Sequence, residues 1–302
     1  MKDYCLELVA AQRSHAAKYN TMREYLQAYA LKILYEHTVF ETTAFVGETA
    51  LRFLYGLPRF SEDLDFSLHK KPRYSFLNLM RVIQQEFILA GYAVNVSYED
   101  EKIVQSAFIK FTGLLHEAGL SPLPGQKFSI KVEIDTRPPK GAVLTTHVVN
   151  KFFPIAFLSY DLPSLFAGKI HAFLTRKYTA SDATGSARGL MQYLPVVMPR
   201  ASGDPKGRPL TKGRDFFDIA WYLSRFKSIA PNMTLLRNDL NKTRFKGTMP
   251  TEKNWRPYLR DAVHQADWKL VYKDVVNFLE NPKEMDVFTK KNVLQLIGAP
   301  RE

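Results

Sequence analysis

Cysteine is nearly missing from this chain. Its one occurrence, Cys5, leaves no internal disulfide framework to build, which excludes the small stapled folds of secreted domains. Long apolar runs are missing as well. No stretch of about eighteen apolar residues occurs, so no membrane-spanning helix is expected. The opening MKDYCLELVAAQRSHAAKYN is broken by charges too early for the apolar part of a secretory leader, and the cytoplasm is the expected location. Low-complexity tracts and internal repeats are absent. Acidic residues are scarce in one region: residues 176 to 260 hold 17 Lys and Arg against 6 Asp and Glu, a net of +11.

What is present is a globular composition. The 302 residues are 46% apolar and 24% charged, enough for one large or two ordinary domains with real cores. The formal charge is +12, so nearly all the excess sits between 176 and 260. A segregated positive field draws polyanions toward it, although a solvated basic face has the same composition.

Periodicity divides the chain. Residues 22–36 carry apolar side chains at Tyr25, Leu26, Tyr29, Ala30, Ile33 and Leu34, the spacing of a one-sided helix. Ala44 to Val46 reads as a short buried strand ending at Gly47. Ala50 to Tyr55 reads as a helix stopped by Gly56 and Pro58. Leu64 to Leu68 alternates like a strand, and 76–90 is a second amphipathic helix. Strands are expected at 94–98, 107–111 and 128–136, the last with Lys131, Glu133 and Asp135 on one face. From about Asp161 helical patterns dominate, at 163–177, 214–226, 256–280 and 287–297. The Pro- and Gly-rich stretch 180–213 reads as a basic loop or insertion. The expected fold is α+β: residues 1–160 form a mixed sheet with flanking helices, and residues 161–302 a mainly helical domain.

The chemistry gathers early. Asp63 and Asp65 are two residues apart on a strand and so point to one face. Two ionised carboxylates side by side repel unless a cation lies between them. A hard divalent ion is the usual solution, and it brings phosphate oxygens as further ligands. A bare pair of this kind also suits an exposed strand edge. Gly47 and Thr49, at a strand end leading into a helix, offer N–H groups and a hydroxyl to phosphate. A third carboxylate on a separate strand would complete a two-metal site, and Glu133 or Asp135 can supply it. Glu133 also suits a plain surface ion pair with Lys131.

The block FVGETALRFLYGLPRFSEDLDFSL resembles the signature of the AbiEii/AbiGii toxin-like nucleotidyltransferases, which include the MenT enzymes. LPSLFAGKIHAFLTRK looks like the family's lysine-bearing segment, and GRDFFDIAWYL looks like its RD-x-x-D helix. The similarity runs from Phe45 to Leu223. It implies a polymerase-β-like nucleotidyltransferase fold with a helical C-terminal part, a toxin paired with an antitoxin and associated with abortive infection, and transfer of a nucleoside monophosphate from an NTP, with tRNA 3′ ends as the acceptor. It implies Mg²⁺, or Mn²⁺ in its place, on Asp63, Asp65 and Glu133, with Asp135 the second choice for the third carboxylate. It also implies phosphate contacts from Gly47 and Thr49, a triphosphate contact from Lys169, and a catalytic carboxylate at Asp218 in preference to Asp215. Arg59 and Ser61 are candidate nucleotide contacts, and Arg59 equally suits a surface turn.

Two positions depart from the family pattern. Glu48 stands where members carry a second small residue, and its charge would repel a triphosphate unless it points away or binds metal. Lys169 and Asp218 are farther apart than in other members, with 180–213 between them. Transfer to a protein side chain and a non-catalytic RNA-binding role are the alternative readings. Tyr178, Tyr193, Phe226, Phe245 and Trp255 lie among the positive charges and are candidates for stacking on RNA bases, with Phe226 also suited to the core.

Overall fold

A computed structural model describes residues 1–175 and 212–298. The basic stretch centred on 180–213, with Arg188, Arg200, Lys206 and Arg208, therefore lies almost wholly outside the described residues, as do Tyr178 and Tyr193. Two compact units emerge. The first comprises Met1–Pro138 and Leu144–Tyr160, the second Pro139–Val143 and Asp161–Glu302.

Unit 1 starts with α1 (Lys2–Ala10) and α2 (His15–Glu36), the latter capped by Ser14, whose hydroxyl accepts from the Ala17 N–H. Then come β1 (Thr43–Val46), α3 (Gly47–Tyr55), β2 (Asp63–Leu68), α4 (Phe76–Leu89), β3 (Val94–Glu99), β4 (Val104–Phe111) and the short α5 (Leu114–Glu117). β5 (Phe128–Asp135), β6 (Leu144–Asn150) and β7 (Pro154–Tyr160) complete it. The seven strands form one sheet in the order β3-β4-β5-β2-β1-β7-β6. β2 runs antiparallel to β1 and parallel to β5, and β1 runs parallel to β7, so the sheet is mixed.

Alternation assigns the faces. In β5, Phe128, Ile130, Val132 and Ile134 are fully buried, while Lys131, Glu133 and Asp135 between them are half-buried. The buried side continues through Leu64 and Phe66 to Phe45 and Phe157, whose rings stack 5.3 Å apart. Burying such side chains contributes about 1.5–3 kcal/mol each before entropy is charged against it. α2 and α4 pack beside this core, with Tyr29 on Phe87 at 5.2 Å.

Unit 2 is helical. It holds α6 (Leu162–Thr175), α7 (Gly213–Arg225), α8 (Met233–Lys242), α9 (Trp255–Gln265), α10 (Trp268–Val275), α11 (Glu284–Val287) and α12 (Lys290–Gly298). Phe166 stacks on Tyr222 at 4.4 Å and meets Trp255 edge-on at 5.6 Å. Trp255 is fully buried, so it is a core ring and cannot take a base. Phe226 packs on Trp221 at 5.4 Å. The single helix expected over 256–280 is two, because Asp267 stops one and caps the next by accepting from the Lys269 and Leu270 N–H groups. β6 and β7 were not expected. No helix among the described residues is long and apolar enough to cross a membrane.

Candidate active site

Backbone pairing sets the acids of unit 1. In the β2–β5 register Asp63 lies opposite Lys131, Asp65 opposite Glu133, and Ser67 opposite Asp135. Opposed residues on neighbouring strands share a face, so Asp63, Asp65 and Glu133 stand on one face of the sheet. Asp135 sits one pair farther along, where its carboxylate accepts from the Arg137 N–H at 2.9 Å. β2 lies between β1 and β5, and Asp65 pairs with Val46 on one side and Glu133 on the other, so Asp65 is not a charge on a sheet edge.

The Lys131 ammonium joins these acids, 2.8 Å from Glu133. Burial pulls its pKa down, but the hydrogen bond and charge of Glu133, with the fields of Asp63 and Asp65, outweigh burial and leave it above the ordinary lysine value. One ammonium thus feels all three carboxylates.

Gly47 closes the site from the side of β1. Its φ is +78°, and a Cβ there would meet the Asp65 carboxylate. Only glycine admits both the backbone turn and that approach. The turn starts α3, so the helix N-terminus lies beside Asp65. Thr49 is fully buried, and its hydroxyl donates to the Asp63 carbonyl oxygen. That contact fastens the first turn of α3 to the start of β2.

Glu48 faces Arg59, whose guanidinium donates to it at 2.8 Å and to the Phe60 carbonyl at 3.0 Å. Arg59 is fully buried rather than a surface turn residue. Its charge offsets the one carboxylate that departs from the expected small residue.

A polar network under the loop between α3 and β2 supports these residues. Arg52 is buried against Glu24 of α2 and donates to the Leu57 carbonyl at 3.1 Å. Lys151 reaches the same Glu24 at 2.7 Å. Gln27 donates to the Ser61 carbonyl at 3.2 Å, and Arg23 pairs with Glu62 at 3.3 Å. Ser61 is itself buried.

Unit 2 carries a second charged group. Lys169 is buried, with its ammonium 3.1 Å from Asp215 and 2.7 Å from Asp218, both fully buried. The lysine does not snorkel to solvent. As placed, it spends its charge on two aspartates, so contact with a triphosphate would require an exchange of partners.

The chain matches the family described as Nucleotidyl transferase AbiEii toxin, Type IV TA system, over residues 30–290. The chain belongs to the AbiEii nucleotidyltransferase toxin family. The matched span of this AbiEii chain holds every residue of both charged groups. It is similar to the crystal structure of JHP933 from Helicobacter pylori, at 17% identity over 92% of this chain and 88% of that one, with a TM-score of 0.45. A candidate nucleotidyltransferase from H. pylori gives 18% identity over 91% and 89% of the chains, also with a TM-score of 0.45. No curated protein matches.

Sequence reasoning missed the α2 network in this AbiEii chain. A signal existed: Arg23, Glu24 and Gln27 interrupt an otherwise apolar helix face. It also treated Lys131 only as a partner for Glu133, without its reach to Asp63 and Asp65.

Proposed function

We propose that this AbiEii-family toxin transfers a nucleoside monophosphate from an NTP to an RNA hydroxyl, with a tRNA 3′ end as the acceptor. The observation that carries the reading is the register of β2 with β5, which sets Asp63, Asp65 and Glu133 on one face beside the Gly47 turn. Three carboxylates on one face are a donor set suited to Mg²⁺ or Mn²⁺, both of which take oxygen ligands. When bound, such an ion supplies Lewis-acid polarisation of the phosphate and lowers the cost of the developing charge.

The residues of the chain divide the remaining work. Gly47 lets the triphosphate approach the start of α3, where N–H groups face outward. Thr49 holds that helix start against β2. Arg59 keeps Glu48 from repelling the nucleotide. The acceptor oxygen attacks the α-phosphorus, the bond to pyrophosphate breaks, and the acceptor proton passes to an oxygen of one of the three carboxylates. We assign Lys169 and Asp218 to the same reaction on the resemblance of their segments to those of the family, and a cognate antitoxin as the partner that restrains the toxin.

Incubating the full chain with each α-labelled NTP, Mg²⁺ and total tRNA tests this reading. Label in tRNA supports it. Label in protein moves the acceptor to a side chain, and no label from any NTP overturns catalysis.

A further inference from the structure

The face that carries the acids does not end with them. Strand register continues a row across the sheet: Asp63 on β2, Lys131 on β5, Phe108 on β4 and Ser97 on β3. All four stand on one face. Phe108 is 41% exposed, whereas Ala107 and Ile109 on either side are fully buried on the opposite face. Among the described residues Phe108 is outside the core cluster, and so is Val104, four positions away on the same face. Ser106 and Lys110 flank it along its strand.

We propose that Phe108 is a stacking platform for an unpaired base of the acceptor, beside the hydroxyl that reacts, with Lys131 and Lys110 facing the strand's phosphates. This rests on the reading that the acceptor is RNA. Two strand spacings separate Phe108 from Asp63, roughly 10 Å, the scale of one nucleotide from its 3′-hydroxyl to the far edge of its base. Every base has a π-face, so one aromatic ring holds the end of a strand without reading its sequence. The charges fit that occupant. Lys131 lies in the row between Asp63 and the ring, where a phosphate would otherwise meet only carboxylates, and Lys110 lies beside the ring along β4. The apolar area, Phe108 with Val104, is small for a protein partner, whose patch spans about 800 Å² per side.

The test is steady-state kinetics of the full chain with Mg²⁺, an α-labelled NTP and a short single-stranded oligoribonucleotide. Phe108→Ala is expected to raise the acceptor KM roughly ten-fold, the scale of one lost base–aromatic stack, with the NTP KM unchanged. Phe108→Trp is expected to restore the acceptor KM, which a merely structural role would not. An unchanged melting temperature for Phe108→Ala shows that the exposed ring is not a fold determinant. Wild-type labelling with an unmoved acceptor KM in Phe108→Ala overturns the platform alone. A raised NTP KM with an unmoved acceptor KM overturns it in favour of the incoming nucleotide's base. Failure of the wild type to label any RNA overturns the underlying reading and the platform together.

Discussion

Asp65 and Glu133 face each other across the parallel pairing of β2 with β5. They come from segments far apart in the chain, yet backbone ladders on both strands fix their spacing. Both side chains therefore leave the sheet on the same face, and the Lys131 ammonium fixes the Glu133 carboxylate there at 2.8 Å.

Removing one member should stop chemistry without harming the fold. Asp65→Asn and Asp63→Asn are each expected to lower transfer roughly a hundred-fold or more, the scale of losing one electrostatic partner at a reacting centre. Thermal stability should hold or rise slightly, because repulsion among these carboxylates falls. Near wild-type turnover in either variant would remove these residues from the site.

Gly47→Ala is a different perturbation. The added methyl meets the Asp65 carboxylate and must adopt a left-handed φ. The backbone cost is on the order of 1–2 kcal/mol. Transfer should fall more than this stability loss explains, as Asp65 is pushed aside. A variant that melts lower but keeps its full rate at low temperature would show that Asp65 tolerates displacement.

The Glu24–Arg52 pair predicts an asymmetry. Glu24→Gln leaves a buried guanidinium without its charge partner, a cost of about 3 kcal/mol or more. Lys151→Ala removes only the more exposed partner, 32% accessible, and should cost under about 1 kcal/mol. Urea unfolding of the two variants decides, and equal losses would place the network's weight elsewhere.

In unit 2, Lys169→Met leaves Asp215 and Asp218 buried together without their ammonium. The expected loss is about 3–5 kcal/mol, measured by calorimetry. Asp218→Asn should cost less, since Lys169 retains Asp215, and it should lose transfer at temperatures where the fold persists. A Lys169→Met variant with an unshifted melting point would contradict the buried placement.

Burial pushes the Cys5 thiol up to about 11, above its ordinary 9.0, with the nearby Tyr92 side chain only partly offsetting it. A pKa raised by folding contributes stability that is present below pH 9 and lost as pH rises toward 11. Cys5 should resist alkylation in the native protein at pH 8 and react readily in urea. Fast native labelling would show that α1 opens.

The acids were legible because a strand repeats every two residues, which puts Asp63 with Asp65 and Lys131 with Glu133. Glu133 as the third carboxylate was preferred over Asp135 only through the family resemblance, because register is a property of two strands, and β5 offers both acids on one face. β7 was missed because its sequence, PIAFLSY, is a nearly continuous apolar run that suits a buried strand or helix alike. β6 escaped because it is an edge strand with exposed Val148 and no clean alternation. The Glu48–Arg59 pair joins residues eleven apart through a loop whose path only tertiary packing decides. The split of α9 from α10 turned on one capping aspartate in a pattern that otherwise stays amphipathic.

β2 lies in the interior of the sheet, with β1 and β5 as its neighbours. Amides of such a strand exchange with solvent only when the surrounding sheet opens, so they report global rather than local opening. The Asp63–Asp65 spacing then persists for as long as unit 1 is folded and vanishes with it. Heat or denaturant should separate these two carboxylates at the point where the sheet melts, with no softened intermediate in which they keep part of their spacing. The lifetime of that spacing in each molecule is then the unfolding time of its sheet.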